Sequence, residues 1–331
     1  FSPYFETCVN QLLPVISQEV PKEFRKFKGQ AIEGLTIAGV CIGIENFRPF
    51  AEQIFKVLLL VQKEHLGDLD DPQRRYILSA WQRLAMLMEK EFASIMPEIM
   101  PELFNMASLT PSTGSGESGE DILKYLSETE TGEKTTLSIE SGEIEEKNIG
   151  IQMIAVFIDE LKELYAPYVE KTSELFLSLL TFRYNTSIRS SIADSLPTML
   201  SAIKECEQGI EGALPFAQKY IEALFSALKG EDDTTVMQHQ VSGVKRCIDV
   251  MGEFLNEEQV NQMCNIFFDC ISKSDHRKDI NYKYNEENEQ GDDEVDKQNR
   301  MFMEEENEIE DDLQLTLSEA FGALFKTCLL Y

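Results

Sequence analysis

Basic residues are the scarce class in this chain: 30 Lys and Arg stand against 59 Asp and Glu, a formal net charge of −29 over 331 residues. That balance excludes a nucleic-acid partner, because phosphate binding needs a basic stripe. A basic protein is the natural counterpart of such a surface. Long apolar runs are missing too: no stretch reaches the roughly 20 residues of a membrane span. FSPYFETCVN lacks the basic and apolar regions of a secretory signal. The expectation is a soluble intracellular chain with no membrane partner. It reads as an internal piece of a longer protein, since it opens without Met and closes on the unfinished apolar pattern TCLLY.

Catalytic and metal-binding patterns are equally thin. His65, His239 and His276 stand far apart. Cys8, Cys41, Cys206, Cys247, Cys264, Cys270 and Cys328 are odd in number and scattered, with no CxxC spacing. They read as buried free thiols in a reducing compartment. No G-x-S-x-G, G-x-x-x-x-G-K-[ST] or H-E-x-x-H occurs, and GSGESG has no strand before it to make a phosphate loop. Among so many carboxylates, proximity says nothing about acid–base work. No enzyme activity, metal or cofactor is expected.

What is present is helical periodicity. Hydrophobic residues make up 43% of the chain, and they recur at i, i+3, i+4 and i+7 with almost no two-residue alternation. The expected class is all-α, and the helices fall into pairs. YFETCVNQLLPVIS precedes PKEFRKFKGQAIEGLTIAGVCIG, RPFAEQIFKVLLLVQKEHL precedes DPQRRYILSAWQRLAMLMEKEF, and MPEIMPELFNMAS precedes IEEKNIGIQMIAVFIDELKELY. PYVEKTSELFLSLLTF, LPFAQKYIEALFSALKG and EEQVNQMCNIFFDCISKS open three more. With insertions set aside the period is about 40 to 47 residues, that of HEAT repeats. Residues 1–331 therefore read as a single HEAT-repeat solenoid, a right-handed superhelical stack of antiparallel pairs.

Local chemistry marks the boundaries. In GDLDDPQ, Asp71 is placed to cap a helix whose first residue, Pro72, needs no amide donor. On the fourth second helix Ile188, Ile192, Leu196 and Leu200 face inward, while Arg189 and Asp194 are polar where stacked repeats use ladders. Two segments break the period. Residues 108–143, rich in Ser, Thr, Gly and Glu, read as a mobile stretch followed either by a small β-hairpin over Ile122 to Ser141 or by more disorder. Residues 275–312 read as an acidic insertion leading into the last helix.

That insertion places seven acidic residues between Glu304 and Asp312. Ile309, Leu313, Leu317, Ala320, Phe321 and Leu324 follow as one apolar stripe, so the acidic run is expected in the first turns of a helix, favoured there by the dipole. Glu304, Glu305, Glu308 and Asp312 then form either a surface for basic ligands or a merely solvated face.

In a stack of helix pairs the second helices line the concave face. The polar residues that escape their apolar stripes are Gln30 and Glu33, then Ser79, Gln82 and Glu89, then Glu145, Asn148, Gln152 and Asp159. Carboxylates mixed with amides suit an extended Lys-rich segment, the amides holding backbone and the carboxylates holding ammonium groups. Trp81 is either a further contact surface there or core, since it shares a stripe with Leu78, Ala85 and Met88.

FRKFKGQAIEGLTIAGVCIGIENF, DDPQRRYILSAWQRLAMLMEKEFASIMPEIMPELFNMAS, EIEEKNIGIQMIAVFIDELKELY and KRCIDVMGEFLNEEQ resemble, in order and spacing, the central part of importin-β family receptors of the importin-β3 (karyopherin-β3) type. The resemblance implies a monomeric nuclear import receptor that shuttles between cytoplasm and nucleus through pores of the nuclear envelope. Such receptors carry basic cargo such as ribosomal proteins and histones by their import signals, bind phenylalanine-glycine nucleoporins, and release cargo to Ran-GTP. The alternative is a HEAT scaffold subunit of a phosphatase or chromatin complex, which would hold folded partners permanently.

Overall fold

In the computed structural model residues 2–64, 71–110, 141–206, 209–287 and 294–328 are described. Their regular elements are all helical: α1 (Ser2–Ser17), α2 (Lys22–Ile42), α3 (Ile44–Glu64), α4 (Arg74–Met88), α5 (Met96–Ala107), α6 (Ser141–Leu161), α7 (Val169–Leu179), α8 (Thr186–Lys204), α9 (Gly209–Lys229), α10 (Thr234–Met251), α11 (Glu257–Glu287) and α12 (Glu294–Cys328). Short 3-10 segments follow α4 at Glu89–Ser94 and α6 at Lys162–Tyr168. The hairpin expected over Ile122 to Ser141 lies outside the described residues, except for Ser141, which opens α6. The chain gathers into two compact units, Phe1–Tyr165 and Ala166–Tyr331.

In the first unit α1 packs on α2 and α5 on α6, while α2, α4 and α6 lie side by side. Apolar stripes meet between the layers, and Phe5, Phe47, Trp81, Phe92 and Phe157 are fully buried there. A file of rings, Phe55 to Trp81 (6.0 Å), Trp81 to Phe92 (6.1 Å) and Phe92 to Phe157 (5.4 Å), links α3, α4, the first 3-10 segment and α6. Edge and tilted contacts of this kind add to the area they bury. Pro72 falls in the turn before α4 rather than in it, yet Asp71 does accept the Gln73 amide at 2.8 Å.

The second unit repeats the construction, with α8, α10 and α12 side by side and α9 packed on both α8 and α10. Its α8 and α10 approach closely because position 243 is glycine: a Cβ there would stand 2.7 Å from the carbonyl oxygen of Ala193.

Each pair must solve the same problem, the unpaired carbonyls where its first helix ends. Three second helices answer with a buried cation. Lys28 Nζ donates to Gln18 O at 2.9 Å, Lys147 Nζ to Ala107 O at 2.6 Å and Leu109 O at 2.9 Å, and Arg189 Nη1 to Phe182 O at 2.9 Å. Burial pushes the Lys147 ammonium down to about 8. Polar rungs then join one second helix to the next, or to the turn that leads into it. Arg83 reaches Glu33 at 3.2 Å, Arg189 grips Glu231 at 2.8 and 2.9 Å, His239 meets Asp194 at 2.8 Å, and Thr234 donates to Glu310 at 2.8 Å.

The interruption expected at 275–312 is largely helix. Residues 275–287 prolong α11, and 294–312 begin α12, making helices of 31 and 35 residues. They are zipped by polar pairs: Asn281 to Asn307 at 3.0 Å, Asn299 to Tyr284 at 3.2 Å, and Gln314 to Asp275 at 2.8 Å. Two expectations about the acidic run change in consequence. It does not occupy the first turns, since α12 starts at Glu294, so the dipole gives it little support. Its buried stripe continues through Asn307 and Glu310 rather than Ile309.

The Asp194 hydrogen bond, more than the Asp194 charge, holds the His239 imidazole above its ordinary value of 6.5. A raised imidazole contributes stability that is complete below the unfolded value and fades as pH rises through the folded one. Both groups are over a third exposed, so the contribution is small, roughly 0.2 to 0.5 kcal/mol. His239→Gln, which keeps a neutral donor, should be less stable than the parent in mildly acidic buffer and equal to it in alkaline buffer, as read by denaturant unfolding.

Candidate partner-binding surface

The polar residues singled out on α2, α4 and α6 all lie in the first unit, on helices that pack side by side. Gln30, Gln82, Glu89, Glu145 and Asp159 are exposed, and Ser79, Asn148 and Gln152 are half-buried. Glu33 is not a free carboxylate: Arg83, which also donates to Thr36 at 3.3 Å, ties it into the rung between α2 and α4. Trp81 is wholly buried, its Nε1 donating to Gln62 Oε1 at 2.8 Å. It is core and offers no face to a partner, because its stripe on α4 turns toward Phe55 and Phe92.

Glu89 combines exposure with a backbone that side chains avoid. It ends α4 at φ 42°, where α2 and α10 end on Gly43 and Gly252 at φ 76° and 73°. Lys162 ends α6 in the same way at φ 48°. A residue with a Cβ in this region costs roughly 1 to 2 kcal/mol. Sequence reasoning found Glu89 but missed Glu160, whose carboxyl is pushed up by burial and by the charge of neighbouring Asp159. The adjacent acid pair was the available signal. Together these residues form a face of amides and exposed carboxylates able to take ammonium groups and an extended backbone.

Elsewhere in the same unit a groove of about 390 Å³ runs between α3 and the 3-10 segment leading to α5. Ala51, Phe55, Leu59, Met88 and Ile95 floor it, and the pairs Arg48 with Glu91 and Lys56 with Glu52, each at 2.6 Å, stand on its rim. No sequence signal marked it, because its floor residues are ordinary members of two different apolar stripes.

In the second unit the acidic run divides. Glu304, Glu305, Glu308 and Asp312 are exposed. Glu310 is 2% exposed and accepts from Arg277 at 2.5 and 3.0 Å. Burial works to raise its carboxyl, but hydrogen bonds from Arg277, Ser274 and Thr234 hold it below the ordinary range. Lys278 holds Asp311. Among the described residues no group of His, Cys, Asp and Glu is arranged to hold a metal ion, and no helix is long and apolar enough to cross a membrane.

No family model matches the chain. Importin subunit beta-3 of Saccharomyces cerevisiae is 24% identical over 267 residues, covering 78% of this chain and 24% of the relative. The probable importin-5 homolog of Dictyostelium discoideum is 21% identical over 335 residues, covering 97% of this chain and 29% of the relative. The chain is similar in sequence to these two importins. It spans between 24% and 29% of the length of those two relatives. Its fold matches that of the karyopherin Kap121p bound to the SUMO protease Ulp1p, with a TM-score of 0.74 at 20% identity over 99% of this chain and 28% of that one. Kap121p bound to Pho4p matches at 0.72 with 20% identity over 99% and 29%. Kap121p bound to RanGTP matches at 0.69 with 19% identity over 98% and 29%. These relatives are named as importins and a karyopherin, not as enzymes.

Glu89→Gly should raise the unfolding free energy of the chain by roughly 1 kcal/mol by relieving the backbone, measured by urea denaturation. An unchanged or lower value would mean that the Glu89 side chain, not its backbone, governs stability there.

Proposed function

We propose that this chain is a segment of a nuclear import receptor that binds basic localisation signals of cargo, such as those of ribosomal proteins or histones, on the second-helix face of its first unit. The observation that carries the proposal is the run of exposed acid and amide residues across α2, α4 and α6, from Gln30 through Gln82 and Glu89 to Glu145 and Asp159. Adjacent second helices set their side chains about 8 to 10 Å apart, a spacing an extended peptide can bridge with alternate residues. Exposed carboxylates act here mainly by attraction at a distance, so binding is fast, reversible and weakened by salt.

Release by Ran-GTP belongs to the same proposal and is supported by the likeness to Kap121p, itself seen bound to RanGTP and to Pho4p. The groove floored by Phe55, Leu59 and Ile95 suits a single aromatic side chain, which supports binding of phenylalanine-glycine nucleoporins. The chain would act as a monomer shuttling between cytoplasm and nucleus. Residues 1–331 would work as one HEAT array, with 108–143 and 275–312 as insertions.

A fluorescent Lys-rich import-signal peptide tests this by anisotropy. Gln82→Lys, Glu145→Lys and Asp159→Lys combined should weaken its binding by roughly tenfold, about 1.4 kcal/mol, and Ran-GTP should displace it. Equal binding by parent and variant would remove the first-unit face from the proposal. Binding that persists in high salt and ignores Ran-GTP would instead favour the HEAT scaffold of a phosphatase or chromatin complex.

A further inference from the structure

We propose that the outward face of α12 is a docking seam for a basic amphipathic helix of a partner protein, anchored by apolar contacts at Met301 and Leu315. The proposal deepens the reading of a chain that handles basic partners, but places this contact in the second unit, on residues other than those of the α2, α4 and α6 face.

Met301 and Leu315 are large apolar side chains left 62% and 61% exposed. They stand four turns apart, roughly 21 Å along the helix. Between them Glu305, Glu308 and Asp312 follow at alternating steps of four and three residues, and all three are exposed. Alternating steps of this kind keep a stripe on one side of a helix and make the seam along which a second helix packs. α12 already buries one such stripe, through Leu313, Leu317, Ala320 and Leu324. The Met301 to Leu315 stripe is a second one, pointing the other way.

Charge identifies what fits it. The acids that α12 turns inward are neutralised, Glu310 by Arg277 and Asp311 by Lys278. Among the described residues no cation of this chain pairs with Glu305, Glu308 or Asp312. Like charges three and four residues apart destabilise a helix, so this face carries a repulsion that the fold does not relieve. A helix with Lys or Arg at the middle of its seam and an apolar residue at each end relieves it and covers Met301 and Leu315 together. The apolar ends supply register, and the charges supply attraction and partner choice.

The test uses the whole chain and two labelled helix-forming peptides of about 18 residues, both with Lys at the central seam positions, one ending in Leu and the other in Ser. The parent should bind the Leu-ended peptide roughly tenfold more tightly than the Ser-ended one, the size expected for two partly buried side chains. Met301→Ser with Leu315→Ser should erase that preference while leaving the Ser-ended peptide and its salt dependence unchanged. Glu305→Gln, Glu308→Gln and Asp312→Asn together should lose both peptides and melt no lower than the parent, since they remove repulsion. The first-unit variant Gln82→Lys, Glu145→Lys, Asp159→Lys should leave these peptides unaffected, which separates failure here from failure of the import reading. The proposal is overturned if neither peptide binds, if the Leu preference survives the double substitution, or if the neutralised variant melts below the parent. A concentration-dependent dimer that the double substitution abolishes would assign the seam to a second copy of this chain instead.

Discussion

A helix that stops inside a protein leaves its last carbonyls facing a neighbour rather than water, and the pairs with Lys28, Lys147 and Arg189 are built around that constraint. The cation near the start of the second helix reaches back to the end of the first, as Lys147 does to Ala107 and Leu109. The contact satisfies carbonyls and places positive charge at the negative end of the helix dipole. It also determines where the second helix begins relative to the first, and hence which of its faces meets the next pair. Removing such a cation would leave buried oxygens unpaired as well as losing a hydrogen bond, the more expensive kind of loss.

Once the pairs are closed, the second helices are held side by side by rungs rather than by apolar area alone. Arg189 shows how the two devices merge: one guanidinium nitrogen caps Phe182, while two others grip Glu231 beside the start of α10. Glu231 in turn accepts the amides of Asp232 and Asp233, so a buried ion pair has its remaining lone pairs occupied. A buried pair is tolerable only on those terms. Elsewhere the same helices present exposed carboxylates, and that surplus makes the exposed face of α2, α4 and α6 chemically able to receive cations.

The α11 and α12 hairpin applies the opposite economy. Its arms are held by amide and charged pairs such as Asn281 with Asn307 and Arg277 with Glu310. Polar contacts of this type specify register strongly, because a slipped hairpin would leave them unpaired. The cost is that large side chains such as Met301 and Phe302 stay exposed.

Helical class, the pairing of helices and the apolar stripes were legible in the sequence, because a 3.6-residue period and the chemistry of turns are local properties. So were the exposed candidates Gln30, Gln82, Glu89, Glu145 and Asp159, each of which merely had to fall off an apolar stripe. Periodicity could not say that Trp81 is core, that Glu33 is taken by Arg83, or that Glu310 lies inward while Glu308 lies outward, since each depends on a residue on another helix. Nor could it show that the charged stretch after Asp275 is helical, for its pattern is polar on both sides and its partner is the facing arm of the same hairpin. The sequence by itself determined which residues could be surface or core. The tertiary structure decided which carboxylates remain unneutralised, because neutralisation depends on which cation of another helix comes within reach.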